Sequence, residues 1–165
     1  MKAQTLIERF GLVAHPEGGY YRESYRSEGL IPQSALPGQF TGDRPFSTAI
    51  YFLLEKGQYS HLHRIRSDEI WHFYLGGPLR LAMIHPDGRT EEIILGQDVG
   101  AGQRLQYAVP AGVWFGATPC AEADFSFVGC TVAPGFDFAD FEMGTKPGLT
   151  QAYPDAANRV EEFGL

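Results

Sequence analysis

Apolar and polar positions alternate with a period of two along most of this chain, and no long helical pattern competes. STAIYFLLEKG predicts a strongly apolar strand ending at Gly57. SHLHRI and EIWHFYL predict two more, joined by the turn residues RSD. PLRLAMIHPDGRTEEIIL reads as a hairpin: Leu79, Leu81 and Met83 alternate, His85 to Gly88 turn, and Thr90 to Leu95 return. GQRLQYAVPAGVWFGATP supplies two strand pieces around Pro110 and Gly112, and ADFSFVGCTVAP a last alternating strand.

Near the start, TLIERF has Thr5 and Glu8 at capping-box spacing and Gly11 as a stop, so a short N-terminal helix is expected, with Leu6, Ile7 and Phe10 buried. After the turn at Pro16, Gly18 and Gly19, YYRESYR predicts a strand with Tyr21, Glu23 and Tyr25 on one face and Tyr20, Arg22, Ser24 and Arg26 on the other. Gly29 to Pro45 loses all pattern and reads as a loop, a candidate lid. FDFADFEMG and the stretch to Leu165 predict a short helix and a tail. Roughly eight or more short strands with frequent turn signals predict an all-β domain, a sandwich or small barrel of jelly-roll type.

Composition narrows this picture. Twelve Phe, eight Tyr and two Trp beside 20 Gly and 11 Pro suit short strands joined by tight turns. A length of 165 residues fits one domain, 1–165, with the barrel over roughly 15–142 and a tail over 143–165. Thirteen Lys and Arg against 20 Asp and Glu give a formal charge of −7 and no basic run, which argues against nucleic acid as a partner. The apolar runs are too short to cross a bilayer as helices, and the first residues lack the features of a signal peptide, so no membrane partner and a cytoplasmic location are expected. Cys120 and Cys130 have no metal-type spacing and are expected as free thiols.

Candidate chemistry concentrates between Gly57 and Gly77, where His61, His63, Glu69, Trp71 and His72 fall close together. Strict alternation would turn His61 and His63 inward and Leu62 outward, and a neighbouring strand would bring Glu69 to the same face. Such a cluster binds a divalent metal or positions a general base. Burying it without pairing or ligation would be costly. His15, His72 and His85, taken singly, read as packed, surface or turn residues. The strand YYRESYR carries charge on both faces, so Arg22 or Glu23 is expected to turn toward a pocket or a subunit contact.

These residues also carry a family resemblance. Gly57, His61, His63, Glu69 and Gly76 resemble the first motif of the cupin superfamily, and Gly102, Pro110 and Gly112 resemble the second. Together HPEGGYYRES, HLHRIRSDEIWHFYLGG and VPAGVWFGA resemble the cupin_5 family, which has no established common activity. The resemblance spans roughly residues 5 to 142 and implies a double-stranded β-helix, the cupin jelly-roll barrel. It departs from the metal-binding pattern in two places. RIRSD makes the interval between His63 and Glu69 longer than usual, and Phe115 stands where a last metal-ligating histidine is usual. Cupin-type deoxysugar-nucleotide epimerases offer a second likeness, with GGYYRE and SHLH resembling two of their motifs. His63 then matches their base, Gly18 and Ser60 stand in place of the arginines that hold the sugar phosphate, and His61 replaces a glycine.

The expectation from sequence is a cupin barrel whose pocket binds a small molecule. Ser60, His61, Trp71, Tyr107, Trp114, Phe115, Tyr21 and Glu23 are its candidate ligand-binding residues, and His63 and Glu69 its candidate catalytic pair. The favoured activity is isomerase- or epimerase-like, on a sugar-like or oxo-acid substrate, with His63 as base. The alternatives are an enzyme using a divalent transition metal held weakly by His61, His63 and Glu69, or a non-catalytic binding or storage module. The aromatic strand YYRESYR, too apolar to be left wet at an edge, predicts a homodimer.

Overall fold

The computed structural model describes residues 1–165. Its helices are α1 (Ala3–Phe10), α2 (Lys146–Ala152) and α3 (Ala157–Phe163). Its strands, in chain order, are β1 (Val13–Ala14), β2 (Tyr20–Arg26), β3 (Leu30–Ile31), β4 (Arg44–Pro45), β5 (Thr48–Glu55), β6 (Ser60–Arg64), β7 (Asp68–Gly76), β8 (Leu79–Ile84), β9 (Thr90–Leu95), β10 (Gln106–Val109), β11 (Trp114–Pro119), β12 (Phe125–Ala133) and β13 (Glu142–Met143). One sheet runs β1-β2-β5-β12-β7-β10 and the other β13-β6-β11-β8-β9, all neighbours antiparallel. From β5 onward the chain crosses between the sheets at nearly every step, as from β6 to β7, the exception being the β8-β9 hairpin. The predicted all-β jelly roll with a short N-terminal helix is what the chain forms.

Alternation decides what fills the space between the sheets. Phe52 and Leu54 of β5, Trp71 and Phe73 of β7, Leu81 and Met83 of β8, Phe115 of β11 and Val128 of β12 pack there as one core. The opposite faces of these strands are apolar too, which is why the runs look continuous rather than half polar. α1 covers one of them: Leu6 packs with Leu53, Phe125 and Phe127. The C-terminal residues cover the other. Leu149, Val160 and Phe163 of α2 and α3 bury Leu62, Ala82, Ile84 and Trp114, so the segment expected as a tail is a structural layer of the barrel.

Two local expectations change. α1 begins at Ala3 with Lys2 at the N-cap and no side-chain cap, so Thr5 lies in the first turn and forms no capping box. Glu8 accepts instead from the Gln4 side chain at 2.8 Å. Gly11 ends the helix in the left-handed region, as expected. The patternless loop is held at its ends by the β3-β4 pairing, and Arg44 in β4 is buried.

The turn before β2 sets the geometry of the interior. Gly18 has φ +108°, and a Cβ there would lie 2.0 Å from the Tyr59 carbonyl oxygen. The missing side chain lets the turn press against the start of β6, and the Glu17 carbonyl accepts from the His61 amide at 2.8 Å. Gly18→Ala should therefore lower unfolding stability by about 3 kcal/mol, combining a left-handed backbone with overpacking against main chain. Urea unfolding checks this, and an unchanged midpoint would mean that the turn can retreat.

Candidate functional site

The site begins with an irregularity in β6. Against β11, His63 is paired with Phe115 and Ser60 with Ala117, so His61 and Leu62 both fall opposite Gly116. This is a β-bulge, and Gly116 permits it: a Cβ there would lie 2.8 Å from the Ser60 carbonyl oxygen. The extra residue breaks the period of two. His63 enters the barrel and Leu62 packs outward on the C-terminal layer, but His61 does not join His63. Its Nδ1 lies 3.2 Å from the Phe163 carbonyl, and its ring stacks on Tyr59.

What meets His63 inside is Glu17. Its Oε2 lies 3.0 Å from His63 Nε2, and its Oε1 accepts from Ser60 Oγ at 2.9 Å. His63 Nδ1 is 2.7 Å from the His61 carbonyl oxygen, which can only accept, so that nitrogen carries a proton. All three side chains are buried. Burial alone would raise the Glu17 carboxyl, but the His63 charge and hydrogen bond, with His15 and Ser60, bring it below its ordinary value. Burial would likewise lower His63, and the charge and hydrogen bond of Glu17, with Glu69 and the His61 carbonyl, hold it above. The pair is an imidazolium and a carboxylate. His15, whose Nδ1 accepts from the Glu17 amide at 3.2 Å, is pushed down, chiefly by burial, and stays neutral.

Glu69 stands apart from this pair. It projects from β7 into the same cavity and is 7% exposed. Burial, reinforced by the negative charge of Glu17 and only partly offset by His63, raises its carboxyl to about 7. The Cys130 thiol beside it, also buried, is raised well above its usual range by burial and by Glu69.

The cavity has a volume of about 450 Å³. Tyr21, Phe136, Phe138 and Phe141 give it aromatic walls, with Ile50 and Val132 between them. Glu23 and Arg26 also line it, joined by two hydrogen bonds of 2.9 and 2.8 Å, and Arg26 donates to the Phe136 carbonyl at 3.0 Å. A second bulge, at Ser24, brings them together: the register of β2 against β5 shifts between Glu23 and Tyr25. The regular alternation expected for YYRESYR fails there, and Tyr25 is 55% exposed and lines no part of the cavity. The segment Phe136–Phe141 is pinned from beneath, since Asp140 accepts from buried Arg44 at 2.7 and 2.6 Å.

The predicted residues thus divide. His63, Glu69, Tyr21 and Glu23 line one cavity. Ser60 supports it through Glu17, and Phe115 packs its ring 4.2 Å from that of His63. Trp71, Tyr107 and Trp114 lie elsewhere. Trp71 is core, tilted edge-on between Phe52 and Phe115, with its indole N–H unpartnered. Tyr107 donates to Glu91 at 2.9 Å, and Trp114 packs on the C-terminal layer beneath Arg64. The proposed metal trio is not assembled. His61 is turned away by the bulge, both nitrogens of His63 are engaged, and no group of three or more His, Cys, Asp or Glu side chains is disposed to hold a metal ion. These residues do not fit a metal. Glu17 was missed from sequence because it sits among turn residues; its one signal is the Gly18-Gly19 pair, which marks a close backbone approach.

Comparison with known proteins places the chain in a family. The chain is 31% identical over 145 residues to the uncharacterized protein YML079W of Saccharomyces cerevisiae, covering 83% of this chain and 72% of the yeast protein. Its structure is similar to that of a hypothetical protein from Leishmania major, at 36% identity and a TM-score of 0.91, over 99% of both chains. It is also similar to protein SO0799 of Shewanella oneidensis, at 39% identity and a TM-score of 0.89, over 100% of this chain and 98% of that one. Residues 4–144 match Cupin_5, described as "Cupin superfamily (DUF985)", and the chain belongs to that family.

Proposed function

We propose that the cavity binds a small organic molecule and moves a proton to or from it, in an isomerase- or epimerase-type reaction, with Glu69 as the proton-transfer group. The observation that carries this reading is a buried carboxyl, raised to about 7, in the wall of an aromatic cavity and outside the ion pair beside it. His63, the base suggested by the epimerase likeness, is less suited. With Nδ1 on the His61 carbonyl and Nε2 on Glu17, its imidazolium has no free lone pair to accept a proton. Its work is to hold Glu17 ionised and to set the charge that Glu69 feels. Glu69 near neutrality exists in both forms, as a group that takes a proton from one carbon of a substrate and delivers it to the neighbouring one must. The aromatic walls supply apolar contact, and water is largely excluded from the carboxyl.

The same protonation equilibrium appears in stability. A carboxyl whose value is raised in the folded state binds its proton more tightly there than in the unfolded chain. Its contribution is therefore most favourable below the unfolded value, declines as pH rises from about 4.5 to about 7, and is constant above. That span corresponds to about 3 kcal/mol. Glu69→Gln removes it, so the stability of the variant relative to the parent should rise by about that amount between the two ends of the window. Urea titrations across the pH series measure this, and parallel pH curves for the two proteins would show that Glu69 does not titrate there.

Proton transfer itself is read by incorporation of solvent deuterium into a panel of aldoses, ketoses and carbonyl compounds, followed by proton NMR. Exchange should increase with pH through about 7 as Glu69 ionises, and should fall by about 100-fold or more in Glu69→Gln. Binding without exchange across the panel would leave a carrier or storage module instead.

A further inference from the structure

The charged groups of the cavity are unevenly satisfied, and the one that is deeply buried without a strong partner is acidic. Glu17 and His63 neutralise each other, and Glu17 is further occupied by Ser60. Arg26 is taken by Glu23 and by the Phe136 carbonyl. Arg22 donates to the Phe10 carbonyl. His15 accepts from a backbone amide. His63 and Arg26 therefore have carboxylate partners already in place, whereas Arg22, exposed beside Gly11, has only that backbone carbonyl. Glu69 has only the weak thiol donor of Cys130, and it is more than nine-tenths buried. An anion seated beside Glu69 would meet a carboxyl, and the one cation of the lining without a carboxylate partner, Arg22, is exposed rather than buried with it. An incoming cation would meet the one acceptor that lacks a strong partner.

The walls agree with the charge. Phe136, Phe138 and Phe141 form a corner in which each ring stands nearly perpendicular to the others, at 82°, 77° and 71°, with centroids 5.0, 5.9 and 6.2 Å apart. Tyr21 lines the same cavity. Rings in several orientations present electron-rich faces to a rounded charged group from more than one side, which suits a substituted ammonium better than a flat or anionic head. Burial of such a group costs less than burial of a strongly hydrated ion, because its alkyl surface is itself apolar. Resting on the reading that this cavity is the ligand site, we infer that its ligand carries a small organic cation, an amine or quaternary ammonium group seated against the Phe136, Phe138 and Phe141 corner and balanced by Glu69. An oxo-acid is thereby disfavoured as substrate.

Calorimetric titration at pH 8 with choline, ethanolamine and tetramethylammonium tests this against 3,3-dimethylbutan-1-ol, the uncharged isostere of choline, and against pyruvate. At least one of the cations should bind, about tenfold or more tightly than the isostere, while pyruvate shows no saturable binding. Choline without ethanolamine would identify the quaternary head, and ethanolamine alone the primary one; either supports the inference. In Glu69→Gln, whose fold is checked by thermal unfolding, the preference for the cation should drop to near parity. Equal affinity for the isostere, binding of pyruvate in place of the cations, or no saturable binding of any cation would overturn the inference. Deuterium exchange into uncharged carbonyl compounds is a separate readout. Its persistence where the cations fail would leave the proton-transfer reading standing, and its absence where the cations bind would remove that reading and leave this one.

Discussion

The buried contact between Glu17 and His63 is the constraint on which the interior is built. Two charges in a core cost several kcal/mol each unless their remaining hydrogen-bonding capacity is filled. Here it is filled from fixed points. Ser60 donates to the carboxylate, and the His61 carbonyl receives the second imidazole proton. Both partners belong to β6, so the bulge that turns the His61 side chain away also leaves its carbonyl beside His63. Glu17 reaches the same place only because Gly18 allows the preceding turn to lie against Tyr59. The consequence for chemistry is subtractive. A pair so completely satisfied has nothing left to offer a ligand, and the neighbouring Glu69, which feels its charges without sharing its bonds, becomes the responsive group.

The enclosure around that carboxyl depends on parts of the chain remote in sequence. Phe136 to Phe141 form an aromatic wall between β12 and β13, held by the buried ion pair of Asp140 with Arg44. Arg44 lies at the end of the loop that shows no pattern in the sequence. That loop contributes a support rather than a moving cover: its last residues are strand-paired, and its arginine is locked under the wall. α1 and the C-terminal helices act at the next remove, sealing the outer faces of the sheets so that their inner faces can be spared for a cavity.

Strand content, hairpins, the outward direction of Leu62 and the N-terminal helix could all be read from alternation and turn residues, because those signals are local. The two bulges could not be read with equal ease. Gly116 inside β11 is a recognisable sign that one strand opposite carries an extra residue, yet it does not say which residue is displaced. At Ser24 there is no glycine at all, and Glu23 and Arg26 meet through a shift in register that only pairing with β5 reveals. A regular period assigns His61 to the pocket and Arg26 to the far face; each bulge reverses its assignment. Trp71, Tyr107 and Trp114 fail for a different reason. Aromatic residues near a motif are as suitable for a core or a C-terminal interface as for a ligand, and only tertiary packing separates these uses.

Phe115 ties the departures from the metal-binding pattern together. Where the resemblance to metal-binding cupins would place a further histidine, an apolar ring packs at a tilt against His63 and offers it no polar partner on that side. A metal would need His63 as a neutral ligand with one nitrogen free, whereas Glu17 and the His61 carbonyl together favour the imidazolium. The substitution and the ion pair therefore act in the same direction. Each makes the other tolerable: without a metal to ligate, His63 requires Glu17 to be buried at all, and with Glu17 in place a metal at His63 would have to displace a proton held by a buried carboxylate. With the ion pair in the place where the resemblance would put a metal shell, the buried carboxyl of the cavity that lacks a strong partner is Glu69, and the proposed proton transfer and cation binding both rest on it.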